Sequence, residues 1–496
     1  MDEAGGSADA ATDGVASEGG LTLGWGLAAV LMAVAAYFGA AQLADNSFFT
    51  HLATGRIILD TGAVPSVDPY TFHGVGDPWT VQSWLVSLIY AALDESAGLW
   101  SVRVLHMVLA IGVALVTWWL GREAPTAIGR FLVAAVGVVV GASFWVERPL
   151  MFGLVCFGLL WFLSERGPVW AVVPVMWVWV NSHGSFPLGL VLLGTLLVGR
   201  RLDGGELGRL TRVTGWAVLG TLVGGLASPV AGRILVFPVT LLERSEPLQA
   251  VSEWRSPDFS EWASRFFLAQ LLLAVLAASR CRRWERVVPA VVFVAAAMLG
   301  ARNVPVAALV LTPLLACGAP SLGQLQVRDR GNFGRALVAI GAAGVLVLAL
   351  GMPRGDQLDL TGYPIAEILA LEEEGILPAH DVRVAYRDRV GNYLEYRHGP
   401  NGTVFFDDRF DFYSVETFEE MIRLHGGRDV LAILDEYAID VVIWELETSV
   451  ADVLMASDQW TADDPVPLLE GSVAASDGTT GWRIFRRVDS EVGSGS

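Results

Sequence analysis

Six Asp and His side chains lie within one stretch of the sequence, residues 44–84, and four of them are candidates for acid–base chemistry or substrate contact. These four are Asp45, His51, Asp68 and His73. A partly buried carboxylate can act near neutral pH as a base for a hydroxyl group. The stretch is also rich in aromatic residues, which settle at the headgroup level of a membrane. We interpret it as one wall of an active site, with the two Asp residues as catalytic candidates and the two His residues as substrate contacts. For Asp45 the alternative is a plain helix-end or interface residue.

A second candidate group is Glu147–Arg148–Pro149, which interrupts a long apolar run with two adjacent ions. At membrane depth a charge costs about 2.5–3.5 kcal/mol on insertion scales, so it is seldom idle. The guanidinium of Arg148 matches phosphate geometry, and we predict that it binds an anionic headgroup. Arg302 lies in a similar context. The alternatives are a mutual ion pair of Glu147 with Arg148 at a surface turn, and snorkelling of Arg302 to the interface.

Four further residues could contact a substrate. Asn181 and His183 lie between two apolar segments, where a single His is as often structural as catalytic. Glu253 and Trp254 belong to the loop 230–265, and they could lie over the cavity. The ions of this loop could equally be ordinary solvated helix faces.

The elements that must position these residues are membrane helices. The chain has 496 residues, of which 53% are hydrophobic and 17% charged. A soluble globule carries nearer a quarter charged residues, and runs of about 17–20 apolar residues are the signature of membrane spans. The sequence predicts a polytopic α-helical membrane protein with about eleven spans. They lie near residues 22–44, 100–120, 131–146, 149–164, 169–181, 185–199, 213–229, 266–279, 287–301, 303–318 and 336–352.

Charge fixes the predicted orientation. If the N-terminus is cytoplasmic, the short Arg-rich loops all lie on the cytoplasmic side, where basic loops are usually found. This holds only if residues 81–94 form a surface helix within a first outer loop, 45–99. The acidic segment 1–21 should be disordered and cytoplasmic. The three cysteines lie in or beside spans, so we expect no disulfide framework in the polar loops or the tail.

The tail, residues 353–496, differs in character. It carries almost all of the net charge of −19 and alternates strand and helix patterns. Strands are predicted at 382–386, 403–407, 440–444 and 482–487, and helices at 416–426 and 429–438. We interpret the tail as a small extracytoplasmic α/β domain, with a cap or partner-binding role. It contains no Gly-rich phosphate loop and no metal-spaced His or Cys set. No cofactor is predicted, a divalent metal has no support in the sequence, and no nucleic-acid partner is expected.

This pattern resembles the GT-C superfamily of membrane glycosyltransferases, which use polyprenyl-phosphate-linked sugars. The resemblance rests on the acidic residue after the first span (Asp45), the long first outer loop, the Arg-Pro turn at Arg148 and the C-terminal domain. More narrowly, the chain is similar to a bacterial set of uncharacterised GT-C-like proteins. The stretches that carry this similarity are HLATGRIILDTGAVPSVDPYTF, NSHGSFPLG, SEWRSPDF, ARNVP and VFFDDRFDFY.

The resemblance implies a sugar transfer in the bacterial plasma membrane. Asp45 would be the base for the acceptor hydroxyl, and Arg148, helped by Arg302, would hold the donor phosphate. The partners implied are a polyprenyl-phosphate sugar, an envelope glycan, lipid or protein acceptor, and the bilayer itself. One departure is Ser47, where related sequences often carry a second acid, so Asp45 acts alone or with Asp68.

Two other functions fit the sequence. A transporter or flippase of lipid-linked sugars would need internal repeats and broken helices. A non-catalytic assembly protein would use the membrane part only as an anchor. The enzyme requires Asp45 and Arg148 to share one pocket, whereas a separation beyond about 15 Å would favour the anchor.

Overall fold

The computed structural model describes residues 23–243, 251–320, 331–355, 357–467 and 481–488. The predicted disordered segment 1–21 lies outside these residues. The described part contains nineteen α-helices. They are α1 (Leu23–Gly39), α2 (Asn46–Thr61), α3 (Trp84–Ala97), α4 (Leu99–Leu120), α5 (Ala127–Ala142), α6 (Leu150–Glu165), α7 (Val172–Ser182), α8 (Pro187–Leu202), α9 (Gly208–Leu226), α10 (Arg233–Glu243), α11 (Trp262–Ala278), α12 (Trp284–Leu299), α13 (Val304–Cys317), α14 (Gly331–Gly351), α15 (Ile365–Glu373), α16 (Asp388–His398), α17 (Val415–His425), α18 (Val430–Glu436) and α19 (Ser449–Ala456).

A helix lies at each of the predicted spans, namely α1, α4 to α9 and α11 to α14. Two helical stretches, Leu99–Glu123 and Asn332–Gly351, are long and apolar enough to cross a bilayer by length and composition. Shorter apolar helices accompany them. The helical class is therefore observed, whereas the count of eleven membrane crossings stays a prediction.

Large apolar side chains cover the outer surfaces of these helices. Leu226 of α9, Leu299 of α12 and Leu350 of α14 are each at least 70% exposed. Exposed apolar surface of this kind is unfavourable in water and marks a site of interaction with a partner or a membrane. Since hydrocarbon chains remove that cost, the outer surfaces fit a lipid environment.

The Arg-rich loops meet at one end of the helices, which we call the basic end. Glu123, after α4, accepts hydrogen bonds from Arg283 and Arg286 at the start of α12. Arg200, near the end of α8, pairs with Glu285. These ion pairs join loops that are distant in sequence. They place on one face three of the loops that the charge pattern assigned to one side, namely those after α4, α8 and α11.

A disulfide also lies at the basic end. It joins Cys281, which follows α11, to Cys317 at the end of α13. Cys156 of α6 is a free, buried thiol. This pairing could not be predicted from the sequence, because residues 281 and 317 lie on separate helical segments. The bond links the ends of α11 and α13 covalently.

The opposite end of the helices carries α2, α3 and the tail. There Arg103 of α4 donates hydrogen bonds to the carbonyl oxygens of Ala40 and Ala41, and to the side chain of Gln357. The end of α1, the start of α4 and the segment after α14 therefore meet at this end. α2 packs closely on α3, since a Cβ atom at Gly55 would lie 1.9 Å from the carbonyl oxygen of Ser87.

The tail contains α15 to α19 and a four-stranded sheet. Its strands are β1 (Val384–Ala385), β2 (Val441–Glu445), β3 (Trp460–Ala462) and β4 (Trp482–Arg487). The strand order is β1-β2-β4-β3, with β1 parallel to β2 and the other pairs antiparallel. Strands are present within 382–386, at 440–444 and at 482–487, and helices at 416–426 and 429–438, as predicted.

The strand predicted at 403–407 is wrong. This segment lies outside the sheet, and Val404 instead forms a single parallel bridge with Thr71 of the loop between α2 and α3. The apolar residues that suggested a strand are buried at the contact between tail and loop, with Phe405 and Phe406 fully inaccessible. The tail is thus packed against the predicted active-site loop.

Candidate functional site

Asp45 and Arg148 form a direct ion pair. Asp45 precedes α2, and its Oδ1 accepts a hydrogen bond from the backbone N–H of Ser47, as a helix N-cap does. Arg148 lies in the loop between α5 and α6, and its Nε donates to Oδ2 of Asp45 over 2.7 Å. The Asp45 side chain is only 8% exposed. The two residues on which the sequence prediction depended are therefore in contact.

Glu147 binds the backbone rather than Arg148. Its Oε2 accepts hydrogen bonds from the N–H groups of Ala44 and Asp45, over 3.2 and 3.3 Å. Burial raises the pKa of the Glu147 carboxyl to about 7, although these hydrogen bonds oppose the shift. Glu147 thus ties the segment after α1 to the loop before α6, and this tie brings Asp45 to Arg148.

The loop before α11 supplies a second carboxylate to Arg148. Nη1 of Arg148 pairs with Oε1 of Glu253, and the neighbouring Trp254 ring lies 3.1 Å from the guanidinium carbon of Arg302. Burial alone would lower the pKa of Arg148, but Asp45 and Glu253 outweigh it and raise the pKa above its usual range. Among the described residues, Nη2 of Arg148 donates no hydrogen bond. This nitrogen is therefore available to a ligand.

Two adjacent cavities share the side chain of Arg148. One, of about 220 Å³, is lined mostly by residues with polar side chains, among them Thr50 and Gln82, and we call it the polar cavity. The other, of about 310 Å³, is lined by Arg302 and by apolar side chains such as Leu188, and we call it the apolar cavity. Their common wall is formed by Gln82, Arg148, His183 and Phe237. The arginine therefore lies where a polar space meets an apolar one.

His51 and His183 line the polar cavity as neutral side chains. Burial, with a contribution from Arg148, lowers the pKa of His51 to about 4. Burial, followed by Arg302, lowers the pKa of His183 to about 3. Nδ1 of His183 accepts from the backbone N–H of Ser185 over 3.2 Å, so the proton of the neutral ring lies on Nε2. His183 therefore has an N–H donor of its own to offer a ligand.

The tail contributes a carboxylate that the sequence analysis missed. Asp408 lines the polar cavity. Its Oδ1 accepts from Nδ2 of Asn392 over 2.6 Å, and its Oδ2 accepts from Nδ2 of Asn46 over 2.9 Å and from the Ser47 hydroxyl. Burial raises the pKa of Asp408 to about 7, against hydrogen bonding by Ser47 and the charge of Arg148. The acidic run within VFFDDRFDFY is the signal that could have identified it.

Arg409, next to Asp408, is the centre of a buried cluster of ion pairs. It pairs with Asp407 at 2.6 Å and with Asp68 at 2.8 Å, and all three side chains are at most 5% exposed. Its guanidinium also lies 4.5 Å from the centre of the Trp79 ring. Asp68, predicted as a catalytic partner of Asp45, is thus held by Arg409. It further accepts hydrogen bonds from the backbone of the turn that follows it.

We expect Arg409→Ala to destabilise the protein by roughly 3–5 kcal/mol, because it leaves buried carboxylates without a counter-charge. Thermal and denaturant unfolding of the purified protein would measure this change. The control is Arg397→Ala, which breaks an exposed pair with Glu372 and should cost less than about 1 kcal/mol. Equal effects of the two variants would contradict a structural role for the buried cluster.

His73 and Asn181 lie apart from the two cavities. Nε2 of His73 is 2.7 Å from the carbonyl oxygen of Phe405, and the ring packs among aromatic side chains of the tail. Asn181 is fully buried; it accepts from Nε1 of Trp84 and donates to the carbonyl oxygen of Gly224. Both residues join elements of the fold, and their predicted substrate contacts stay predictions without geometric support.

The candidate anion-binding groups of the site are the two arginines of the apolar cavity. Arg148 and Arg302 line this cavity together with Glu253, whereas Asp408, Asp411 and Arg409 line the polar one. Within the described ranges, no group of three or more His, Cys, Asp or Glu side chains could hold a metal ion. The arrangement suits a ligand with a negative charge between an apolar part and a hydroxyl-bearing part.

Comparison with known proteins adds little to this geometry. No protein-family model matches the sequence, and no curated protein matches it. Among solved structures, the chain matches the single-particle cryo-EM structure of the arabinofuranosyltransferase AftD from mycobacteria, with 14% identity and a TM-score of 0.42. The match covers 93% of this chain and 40% of that chain, so this chain spans less than half of its length. At this TM-score the likeness carries no argument about fold or activity.

Proposed function

We propose that this protein is a membrane glycosyltransferase that moves a sugar from a polyprenyl-phosphate donor to an envelope acceptor. One observation carries the proposal: Arg148 lies at the common wall of a polar and an apolar cavity. A polyprenyl-phosphate sugar has the same order of parts, with an anionic phosphate between a hydroxyl-rich sugar and a hydrocarbon chain. The phosphate would lie at Arg148, the sugar in the polar cavity and the start of the chain in the apolar cavity.

The donor geometry of Arg148 and the neighbouring Arg302 support a phosphate site. Guanidinium presents parallel N–H donors that match phosphate oxygens, and such bonds are stronger than neutral ones. Asp45 holds Nε of Arg148, which orients the group. Glu253 occupies Nη1 from a partly exposed position, so an incoming phosphate would replace this carboxylate. It would also use Nη2, which donates no hydrogen bond within the part of the chain that the structure describes. Arg302, on the same cavity, would add a second positive charge.

The proposed reaction is a single displacement. The acceptor oxygen attacks the anomeric carbon, and the bond from that carbon to the phosphate oxygen breaks. The electron pair of this bond leaves on the phosphate, where Arg148 stabilises the growing negative charge. The proton of the acceptor hydroxyl passes to a carboxylate of the site. One displacement inverts the configuration at the anomeric carbon.

The contact between Asp45 and Arg148 favours this function over the non-catalytic anchor, although only Arg148 of the two lines the cavities. A membrane anchor gives no reason for these two residues to meet, yet their side chains are 2.7 Å apart. A flippase would carry the lipid-linked sugar across the bilayer intact. We propose that the site and the tail face the extracytoplasmic side, because the basic end gathers the loops that the charge rule places inside. Labelling of the Arg148 loop from the cytoplasm would contradict this orientation.

The test uses the full-length protein in lipid nanodiscs. We expect farnesyl phosphate to bind, and farnesol or inorganic phosphate alone to bind at least tenfold more weakly, by native mass spectrometry. A panel of farnesyl-phosphate-linked pentoses and hexoses, incubated with an envelope glycan extract, should yield labelled glycan and released farnesyl phosphate. Envelope glycans from cells with and without the gene product should differ by one sugar type. Intact movement of the lipid-linked sugar across vesicles, without cleavage, would instead support the flippase.

A further inference from the structure

Asp45 lies outside the walls of both described cavities. One of its carboxylate oxygens caps α2, and the other pairs with Arg148. The described residues that line the polar cavity include Ser47 and Asp408, but not Asp45. A base must be within hydrogen-bond reach of the proton that it removes. The carboxylate that already faces the proposed sugar space is therefore the one from the tail.

We infer that Asp408 is the catalytic base that takes the proton of the acceptor hydroxyl, and that Asp45 is a positioning residue for Arg148. The inference rests on the proposed glycosyltransferase function. It makes the tail a part of the active site rather than a separate cap, since the reacting carboxylate comes from the segment that follows α16.

Asp408 is held in one orientation by donors from two elements. Asn392 of α16 and Asn46 of α2 donate to different oxygens, and the Ser47 hydroxyl donates as well. Asn392 also donates to the hydroxyl of Thr50 over 2.6 Å, which fixes the amide. Fixed geometry of this kind favours catalysis, because misplacement by about 1 Å can cost 10²-fold in rate.

Burial and the neighbouring charges place the pKa of Asp408 near neutral pH. Burial disfavours its ionised form, while Arg148 favours it. A carboxyl group whose pKa is about 7 is ionised in half of the molecules at that pH, and it can both accept a proton and release it to water. The other titratable or charged groups that face it, or lie close to it on neighbouring segments, are Asp45 and His51 at α2, Arg148 before α6, Glu395 of α16, and Asp407, Arg409 and Asp411 of its own segment.

In the proton-transfer step, the O–H bond of the acceptor breaks as its oxygen forms the bond to the anomeric carbon. The proton moves to a carboxylate oxygen of Asp408, and the electron pair of the broken sugar–phosphate bond stays with the phosphate at Arg148. Asp408 returns the proton to water before the next turnover. The activity therefore depends on ionised Asp408, and the rate should rise with pH through about 7.

The test compares Asp408→Asn with the wild-type protein in nanodiscs, using the farnesyl-phosphate sugar that the wild type cleaves. We expect transfer to fall by at least about 100-fold, the dissociation constant for farnesyl phosphate to change less than about twofold, and the rise in rate with pH to disappear. The matched control is Asp452→Asn, which removes an exposed carboxylate from α19 and should leave transfer unchanged. Full transfer by Asp408→Asn, or an unchanged pH profile, would overturn the inference.

A second variant protects the test against misfolding. Asp408→Ala leaves space for a small carboxylate, so added formate should restore part of its transfer activity, whereas formate should not help Asp45→Asn. Failure of this rescue in a protein that still binds farnesyl phosphate would count against Asp408 as the base. If the wild type binds farnesyl phosphate but cleaves no sugar from the panel, the proposed function fails, and the inference fails with it.

Discussion

In the Arg148→Ala variant, we expect sugar transfer to fall by about 10³-fold, and the affinity for farnesyl phosphate to fall at least tenfold. Loss of one preorganised donor at a developing charge typically costs about 10²–10³ in rate, and Arg148 is also the residue shared by both cavities. Binding is measured by native mass spectrometry and transfer by release of farnesyl phosphate, both in nanodiscs.

The loss should depend on the guanidinium and not only on its charge. Arg148→Lys keeps the positive charge beside Asp45 but cannot hold Asp45, Glu253 and a phosphate with parallel donors. We expect it to fold and to recover only a small part of the transfer. Arg166→Ala removes an exposed arginine at the other end of α6 and should behave as wild type. Unchanged farnesyl phosphate affinity in Arg148→Ala would make that residue structural.

The second large effect is expected for Asp45→Asn. Asparagine is as good an N-cap as aspartate, so α2 should stay intact, but the charged bond that orients Arg148 is lost. We expect transfer to fall by about 10²-fold, while farnesyl phosphate binds as tightly as before or more tightly. The reason is that Asp45 is itself an anion on the guanidinium and competes with the phosphate.

Two further variants separate orientation from competition. Asp45→Ala also removes the cap and should cost a further ~1 kcal/mol in stability, measured by thermal unfolding. Glu253→Gln removes the competing carboxylate at Nη1 while Asp45 still holds Nε, so affinity for farnesyl phosphate should rise without loss of transfer. Weaker binding of farnesyl phosphate by Asp45→Asn would contradict the competition, and normal turnover would remove Asp45 from the mechanism.

Hydropathy predicted the helical class well, because apolar length is a property of the local sequence. A helix lies at each predicted span, and the basic loops meet at one end as their charge suggested. The segment 403–407 shows the limit of this approach. Its apolar residues have the composition of a strand, but they are buried against the loop that carries Thr71. Local composition reports that a segment is buried, and it cannot report which distant segment buries it.

Sequence reasoning singled out Arg148 because its charge stands in an apolar context. Arg148 interrupts an apolar run, and it does meet Asp45. Asp68 has a local structural role instead. It accepts hydrogen bonds from the N–H groups of Tyr70 and Thr71 in a tight turn, which is a common role of aspartate. The acidic run within VFFDDRFDFY marks Asp408 as a candidate, but its position beside Arg148 could not be predicted, because it depends on contacts with α2 that only the folded tail creates.

The hydrogen bond between Ser47 and Asp408 joins residues 361 positions apart, and this has a consequence for biosynthesis. A nascent chain would display Arg148 long before the ribosome reached Asp408. On the proposed mechanism, a chain whose tail has not yet docked would hold the lipid phosphate at Arg148 and lack the base at Asp408, so sugar transfer would begin only after the last part of the chain is made.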